Sequence, residues 1–423
     1  MIKKMLKKNK SLLLRKKYFY YIIMLYIYIK IFICIYLSIK IIPFYYLKTK
    51  EKPILANPII EKDYNEEFNI IQEFTSMTLQ GTLINKNKTF SKSSDPKISI
   101  VIGTFNAEVF LKNALLSIQN QDFDDIEIVI VDDYSKDDTV NLIKEYMKID
   151  KRIKFYQNRE NKGTLYTKAK GVMHSKGKYV MIIDQDDIYT QKDVFSTLYS
   201  YCEKKKLDIL GFASIFREGS DKIDMNKEIL PVHYFESNIL YQPDISRRMF
   251  DFDSNGEPTR VNYVIWDYMF KTKLFINAIK KIDKKYLNTK MKCHEDFLLF
   301  FLLSRKAKSL KYIKRIFYVN LQWRNETNSK IKFTREQRYL NRTNADCLSY
   351  INYIEFLLKY TDNNIRDKRI ATLEFNNWFL NNGCISNEFV KERGIYVCKL
   401  FLKNKYIEKA QKVIIKKYLD LVT

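Results

Sequence analysis

Residues 98–105 read ISIVIGTF, and the pattern that begins there decides the fold. A continuous apolar run of this length, rich in β-branched residues and ending at a polar Thr104, reads as a strand buried on both faces. Outward from it, residues 108–121 (EVFLKNALLSIQNQ) carry helical spacing, and residues 126–133 (IEIVIVDD) form a second apolar run. A helix over 138–147, the strand RIKFYQ at 152–157, a helix over 164–173 and the strand KYVMIID at 178–184 complete the series. Strands alternating with helices of this length predict a parallel sheet covered by helices on both faces.

The chain around this block has 423 residues, 46% of them hydrophobic, enough for a full core, and global disorder is excluded. Its net charge of +25 raises anionic partners such as nucleic acid, an anionic membrane or an anionic substrate. Eight of the basic residues fall within residues 1–17, where no acidic residue occurs, and the rest are spread. The six cysteines show no CxxC spacing, so a thiolate zinc site is not expected.

Residues 18–39 are apolar or aromatic except for Lys30 and Ser38, long enough to cross a bilayer as a helix. A central lysine costs about 2.5–3.5 kcal/mol on insertion scales, which the Ile, Phe and Leu content outweighs. With the basic flank held in the cytoplasm, the expectation is a single-pass type II membrane protein. Its catalytic part would then lie in the lumen of the endoplasmic reticulum or Golgi, where sequons at Asn87, Asn325 and Asn341 would be permitted. Residues 48–96 read as a stem or linker, 97–325 as the catalytic domain, and 330–423 as a helical extension.

In open α/β sheets, ligands bind beyond the carboxyl ends of the strands. The first predicted strand ends in Thr104, Phe105 and Asn106, the second in Asp132 and Asp133, and the fourth in Asp184, Gln185, Asp186 and Asp187. Close like charges resist ionisation unless a cation or donor compensates them, so the DQDD cluster reads as functional. Asp132 and Asp133 alone serve equally well as turn or capping residues.

Four segments together resemble the family-2 glycosyltransferases, in order and spacing over about 115 residues: ISIVIGTFNAEVFL, VDDYSKDDT at 131–139, ENKGTLYTKAKG at 160–171 and IDQDDIY at 183–189. The resemblance implies a GT-A fold and inverting transfer of a sugar from a nucleotide-diphosphate donor. It implies Thr104, Asn106, Glu108, Asp132 and Asp133 as contacts of base and ribose, Lys168 where the family usually has Arg, Asp184 as a donor-side carboxylate, and Asp186 as ligand to Mg²⁺ or Mn²⁺. Such a cation would neutralise the diphosphate leaving group through oxygen ligands. Tyr134 stands where the family commonly has Gly, so a different turn is expected there.

Further along, HEDFLLFFLL at 294–303 places Glu295 and Asp296 at the start of an apolar helix. Acidic residues there also stabilise a helix through its macrodipole. Family members carry an ED pair at a corresponding place, which implies Asp296 as general base on an acceptor hydroxyl, Glu295 as its support, and Trp266 and Asp267 as acceptor contacts. The acceptor would be a glycan, lipid or protein. The alternatives are an inactive, membrane-anchored binding module with the same fold, and a nucleic-acid binder; no recognised nucleic-acid motif accompanies the charge, so nucleic acid is not an expected partner.

Overall fold

A computed structural model describes residues 70–79, 90–218, 238–248, 250–252, 258–261, 264–291 and 295–322, and isolated helical positions between 351 and 419. The chain divides into two compact units, Met1–Glu67 and Phe68–Thr423. The expected membrane segment at 18–39 lies outside the described residues. Among those that are described, no helix is long and apolar enough to cross a membrane.

The strands are β1 (Ile98–Thr104), β2 (Ile126–Asp132), β3 (Ile153–Gln157), β4 (Tyr179–Asp184), β5 (Ile188–Tyr189), β6 (Ile209–Glu218), β7 (Leu240–Tyr241), β8 (Phe250–Phe252), β9 (Pro258–Val261), β10 (Tyr268–Lys271) and β11 (Ser309–Gln322). The helices used below are α1 (Leu111–Gln119), α2 (Thr139–Ile149), α3 (Thr164–His174), α4 (Val194–Lys205), α5 (Asp244–Arg248), α6 (Thr272–Ile279), α7 (Lys284–Leu287) and α8 (Glu295–Lys306). The main sheet runs β3-β2-β1-β4-β10-β6-β11-β5, with β7 on β11, and β8 pairs with β9 separately. Strands β3, β2, β1 and β4 are mutually parallel. Strand β10 runs antiparallel between β4 and β6, and β11 is parallel to β6. Six long strands therefore point one way, with one reversed strand among them.

The apolar runs bury both faces because side chains alternate along a strand. Val101, Val129, Val131, Val180 and Ile182 face a core shared with α3, α6 and α8. Ile98, Ile100, Ile102, Ile128, Ile130, Met181 and Ile183 face the opposite core, with α1 and α4. Each such side chain contributes about 1.5–3 kcal/mol of hydrophobic stabilisation when removed from water. Helix α3 lies close on β1 because Gly171 has no Cβ to strike the Val101 side chain.

Parallel register brings the strand ends level. Thr104 stands opposite Asp132, Gly103 opposite Asp184, and Asp132 opposite Gln157. Part of the expected linker is ordered: residues 70–79 are helical, with Ile71, Phe74, Thr75 and Thr78 buried at positions i, i+3, i+4 and i+7. Helical residues at 351–353 and 355–357 bring Tyr353 edge-on to Phe297 at 5.1 Å and Phe356 to Tyr286 at 5.3 Å.

Candidate active site

The site grows from the carboxyl ends of β1, β2 and β4. Asp132 is fully buried at the end of β2 and accepts hydrogen bonds from Thr104 Oγ1 (3.2 Å), Ser135 N (3.0 Å), Ser135 Oγ (2.5 Å) and Gln157 Nε2 (3.1 Å). Asp133 accepts from Asn158 Nδ2 (2.8 Å) and from the backbone N–H groups of Lys162 (2.7 Å) and Gly163 (2.8 Å). Both carboxylates thus hold neighbouring loops, satisfying buried donors that would otherwise cost about 1–3 kcal/mol each. Gly163 has φ +86°, and a Cβ there would lie 2.7 Å from the Lys290 backbone, so the loop that opens α3 requires glycine.

Asn106 and Glu108 bind across to the loop after β2. Asn106 Oδ1 accepts from Lys136 N at 2.9 Å, and Glu108 Oε2 accepts from Asp138 N at 2.8 Å. Tyr134 adopts φ +70°, the glycine-favouring region, and Lys136 Nζ sits 3.4 Å from its ring centroid. Glycine-like geometry is therefore kept at this position although the side chain is bulky. Gln185 brackets the β1 loop, accepting from Phe105 N at 2.7 Å and donating Nε2 to Phe105 O at 3.3 Å.

At the centre, the buried Lys168 of α3 reaches three carboxylates: Asp184 Oδ1 at 3.1 Å, Glu295 Oε1 at 3.1 Å and Asp296 Oδ1 at 2.8 Å. Residues from three separated stretches of sequence, on β4, α3 and the first turn of α8, therefore meet at one ammonium group. Burial opposes the charge on Lys168, but the three carboxylates outweigh it and raise its pKa well above the usual lysine value. Burial pushes the Asp296 carboxyl up, the Lys168 ammonium pulls it back, and the nearby Glu295 and Asp184 charges leave it raised. The Asp186 carboxyl is pushed up to about 6 by burial and by the Asp184 charge.

Three carboxylates around one ammonium, with Asp186 beside them, leave a local negative excess that suits a divalent cation. Among the described residues no group of three or more His, Cys, Asp or Glu side chains is arranged to hold a metal ion alone.

Asp187, the last residue of the acidic cluster, is turned inward. It is fully buried and accepts from Tyr318 Oη (2.6 Å), Asn320 Nδ2 (2.9 Å) and Leu321 N (2.8 Å). Trp266 and Asp267 are likewise buried, and Trp266 stacks on Tyr318 with centroids 4.6 Å apart. Sequence reasoning did not single out Asn158 or Tyr318. Asn158 follows the end of β3 and was findable by the strand-end rule applied to the other strands. Tyr318 sits inside a long strand, IFYVN, where nothing distinguishes its hydroxyl from the surrounding aromatic residues.

Residues 99–258 match the model of Glycosyl transferase family 2. Over 126 residues the chain is 37% identical to a GalNAc(5)-diNAcBac-PP-undecaprenol beta-1,3-glucosyltransferase of Campylobacter jejuni, covering 30% of this chain and 40% of that protein. It is 26% identical over 189 residues to the uncharacterized glycosyltransferase EpsJ of Bacillus subtilis, covering 45% of this chain and 52% of that one. The chain thus spans about half or less of the length of these relatives. The fold is similar to that of S. aureus TarS 1-349 crystallised in complex with UDP, with TM-score 0.50, 16% identity, and coverage of 77% of this chain and 87% of that one. Residues 99–258 therefore resemble a glycosyl transferase family 2 domain, and they are set in an α/β fold similar to the GT-A type.

Proposed function

We propose that the chain is an inverting glycosyltransferase that moves a sugar from a nucleotide-diphosphate donor to an acceptor hydroxyl. The observation that carries this reading is the Lys168 cluster, which joins Asp184 at the end of β4 to the Glu295–Asp296 pair that opens α8. Donor and acceptor chemistry need their groups within one bond-forming distance, and this cluster brings the two sets of carboxylates together. The UDP in the TarS complex and the undecaprenol-linked substrate named for the C. jejuni relative support a uridine diphosphate donor and a lipid-linked glycan acceptor.

In this mechanism the loops held by Asp132 and Asp133 shape the floor for base and ribose, with Thr104, Asn106 and Glu108 at its edge. Asp184 and Asp186 face the diphosphate in this reading, and Asp186 would hold Mg²⁺ or Mn²⁺. Bound there, such a cation would neutralise charge on the departing diphosphate. Asp296, its basicity raised by burial, takes the acceptor proton as that oxygen forms its bond to the anomeric carbon, and the bond from that carbon to the diphosphate oxygen breaks on the opposite face. Glu295 shares the Lys168 ammonium and keeps Asp296 oriented. Trp266 and Asp267 support the acceptor side.

Residues 18–39 act as a membrane anchor in this reading, which would hold the domain at the surface where a lipid-linked acceptor lies. Recovery of the full-length chain in an alkali-resistant membrane fraction tests that part. The catalytic part is tested by donor hydrolysis with a metal titration: metal-dependent release of UDP by the wild type, absent in Asp186→Ala, is expected. Equal, metal-independent release by both proteins would sink the assignment.

A further inference from the structure

We propose that Tyr318 is a positioning residue that fixes the turn carrying Asp184 and Asp186 in the pose needed to receive the metal–diphosphate group. This rests on the donor reading above and extends it to a residue outside the matched family segment, which ends at residue 258. The turn from Asp184 to Asp187 closes with Asp187 N donating to Asp184 O at 3.2 Å. The Tyr318 hydroxyl touches both of its ends: it accepts from Asp184 N at 3.2 Å and donates to Asp187 Oδ2 at 2.6 Å. One hydroxyl uses both its donor and its acceptor capacity on a single four-residue turn.

The phenol is itself held fast. Tyr318 is fully buried, stacked on Trp266 on one side and met edge-on by Tyr189 at 5.9 Å on another. Its strand continues into Asn320 and Leu321, which also donate to Asp187. Asp187 is thus the buried anchor of the turn, leaving Asp184 and Asp186 to act outward. Partners one step removed from a metal ligand orient it, and their loss typically weakens metal binding about 10- to 100-fold.

The neighbouring Tyr189 provides the control. Its hydroxyl is buried in the same ring cluster and has no hydrogen-bond partner among the described residues. Tyr318→Phe and Tyr189→Phe each remove one buried hydroxyl from adjacent rings, but only the first touches the turn. In calorimetric titrations of Mn²⁺ into the full chain with UDP present, Tyr318→Phe is expected to raise the Mn²⁺ Kd about 10- to 100-fold. Tyr189→Phe should match the wild type. Hydrogen exchange should show faster exchange of the Asp184 amide in Tyr318→Phe alone. If the wild type binds Mn²⁺ with UDP and Tyr318→Phe binds equally well, the positioning role is overturned while the donor reading stands. If the wild type itself shows no Mn²⁺-dependent UDP binding, the donor reading fails and takes the inference with it.

Discussion

Lys168 Nζ lies 2.8 Å from Asp296 Oδ1 and 3.1 Å from Asp184 Oδ1, so one ammonium group spans the groups assigned to donor and acceptor. Removing a buried partner costs far more than the pair contributes, because it leaves charge uncompensated. Lys168→Met should therefore destabilise the fold at pH 7 by about 3–5 kcal/mol. The penalty should shrink in acid, where the Asp296 carboxyl, its pKa raised by burial, takes up a proton. Lys168→Arg, which keeps the charge, should recover most of the stability. Urea melts at pH 7 and pH 4 read this directly; a Met variant as stable as wild type at pH 7 would show that the cluster is not electrostatically held together.

Asp186 gives a pH signature. Its folded pKa is raised to about 6 from 3.8, so between those values the native state binds more protons than the unfolded state. A raised pKa contributes stability below the unfolded value and loses it as pH climbs through the folded one. In metal-free protein, Asp186→Asn should gain on the wild type as pH rises from about 4 to about 6, by roughly 2–3 kcal/mol, then hold level. Parallel stability profiles for the two proteins across that range would remove the proposed crowding between Asp184 and Asp186.

Two turns with positive φ should respond oppositely to substitution. Gly163→Ala places a Cβ 2.7 Å from the Lys290 backbone at φ +86°, and is expected to cost at least about 1–3 kcal/mol and loosen the loop that Asp133 holds. Tyr134→Gly relieves a bulky residue at φ +70° and should be neutral or stabilising by up to about 1 kcal/mol despite the added chain entropy. Thermal melts of both variants suffice, and a Gly163→Ala protein as stable as the wild type would contradict the loop geometry.

The half of the sheet formed by β1 to β4 was legible because its strands are apolar on both faces and bounded by polar residues. The residues 98–104, 126–132, 153–157 and 179–184 come out as β1 to β4 with shifts of a residue or so at the ends. Strand β10 was not legible, since YMFK is four residues long and its place between β4 and β6 depends on contacts far apart in sequence. The meeting of Lys168 with Glu295 and Asp296 across more than a hundred residues likewise follows from packing of α3 with α8, not from any local pattern. Asp187 illustrates the limit within a motif: four polar residues in a row point to a site, but only the fold distinguishes the one turned inward to Tyr318.

Asp296→Asn separates removal of the acceptor proton by Asp296 from a purely structural role in the first turn of α8. Asp296 lies in the first turn of α8 and pairs with Lys168, so if its role were purely structural, Asn would cost stability through the lost charge but leave the transfer rate of the folded variant near normal. An amide cannot take the proton, and loss of a general base typically lowers the rate about 10²- to 10⁴-fold. The measurement is UDP–Mn²⁺ affinity together with single-turnover sugar transfer to a lipid-linked glycan acceptor, on a variant shown by thermal melting to be folded. Unchanged affinity with transfer reduced by about 10²-fold or more is the predicted result. Near-normal transfer by the folded Asn variant would contradict the account and shift the base to Glu295 or Asp267.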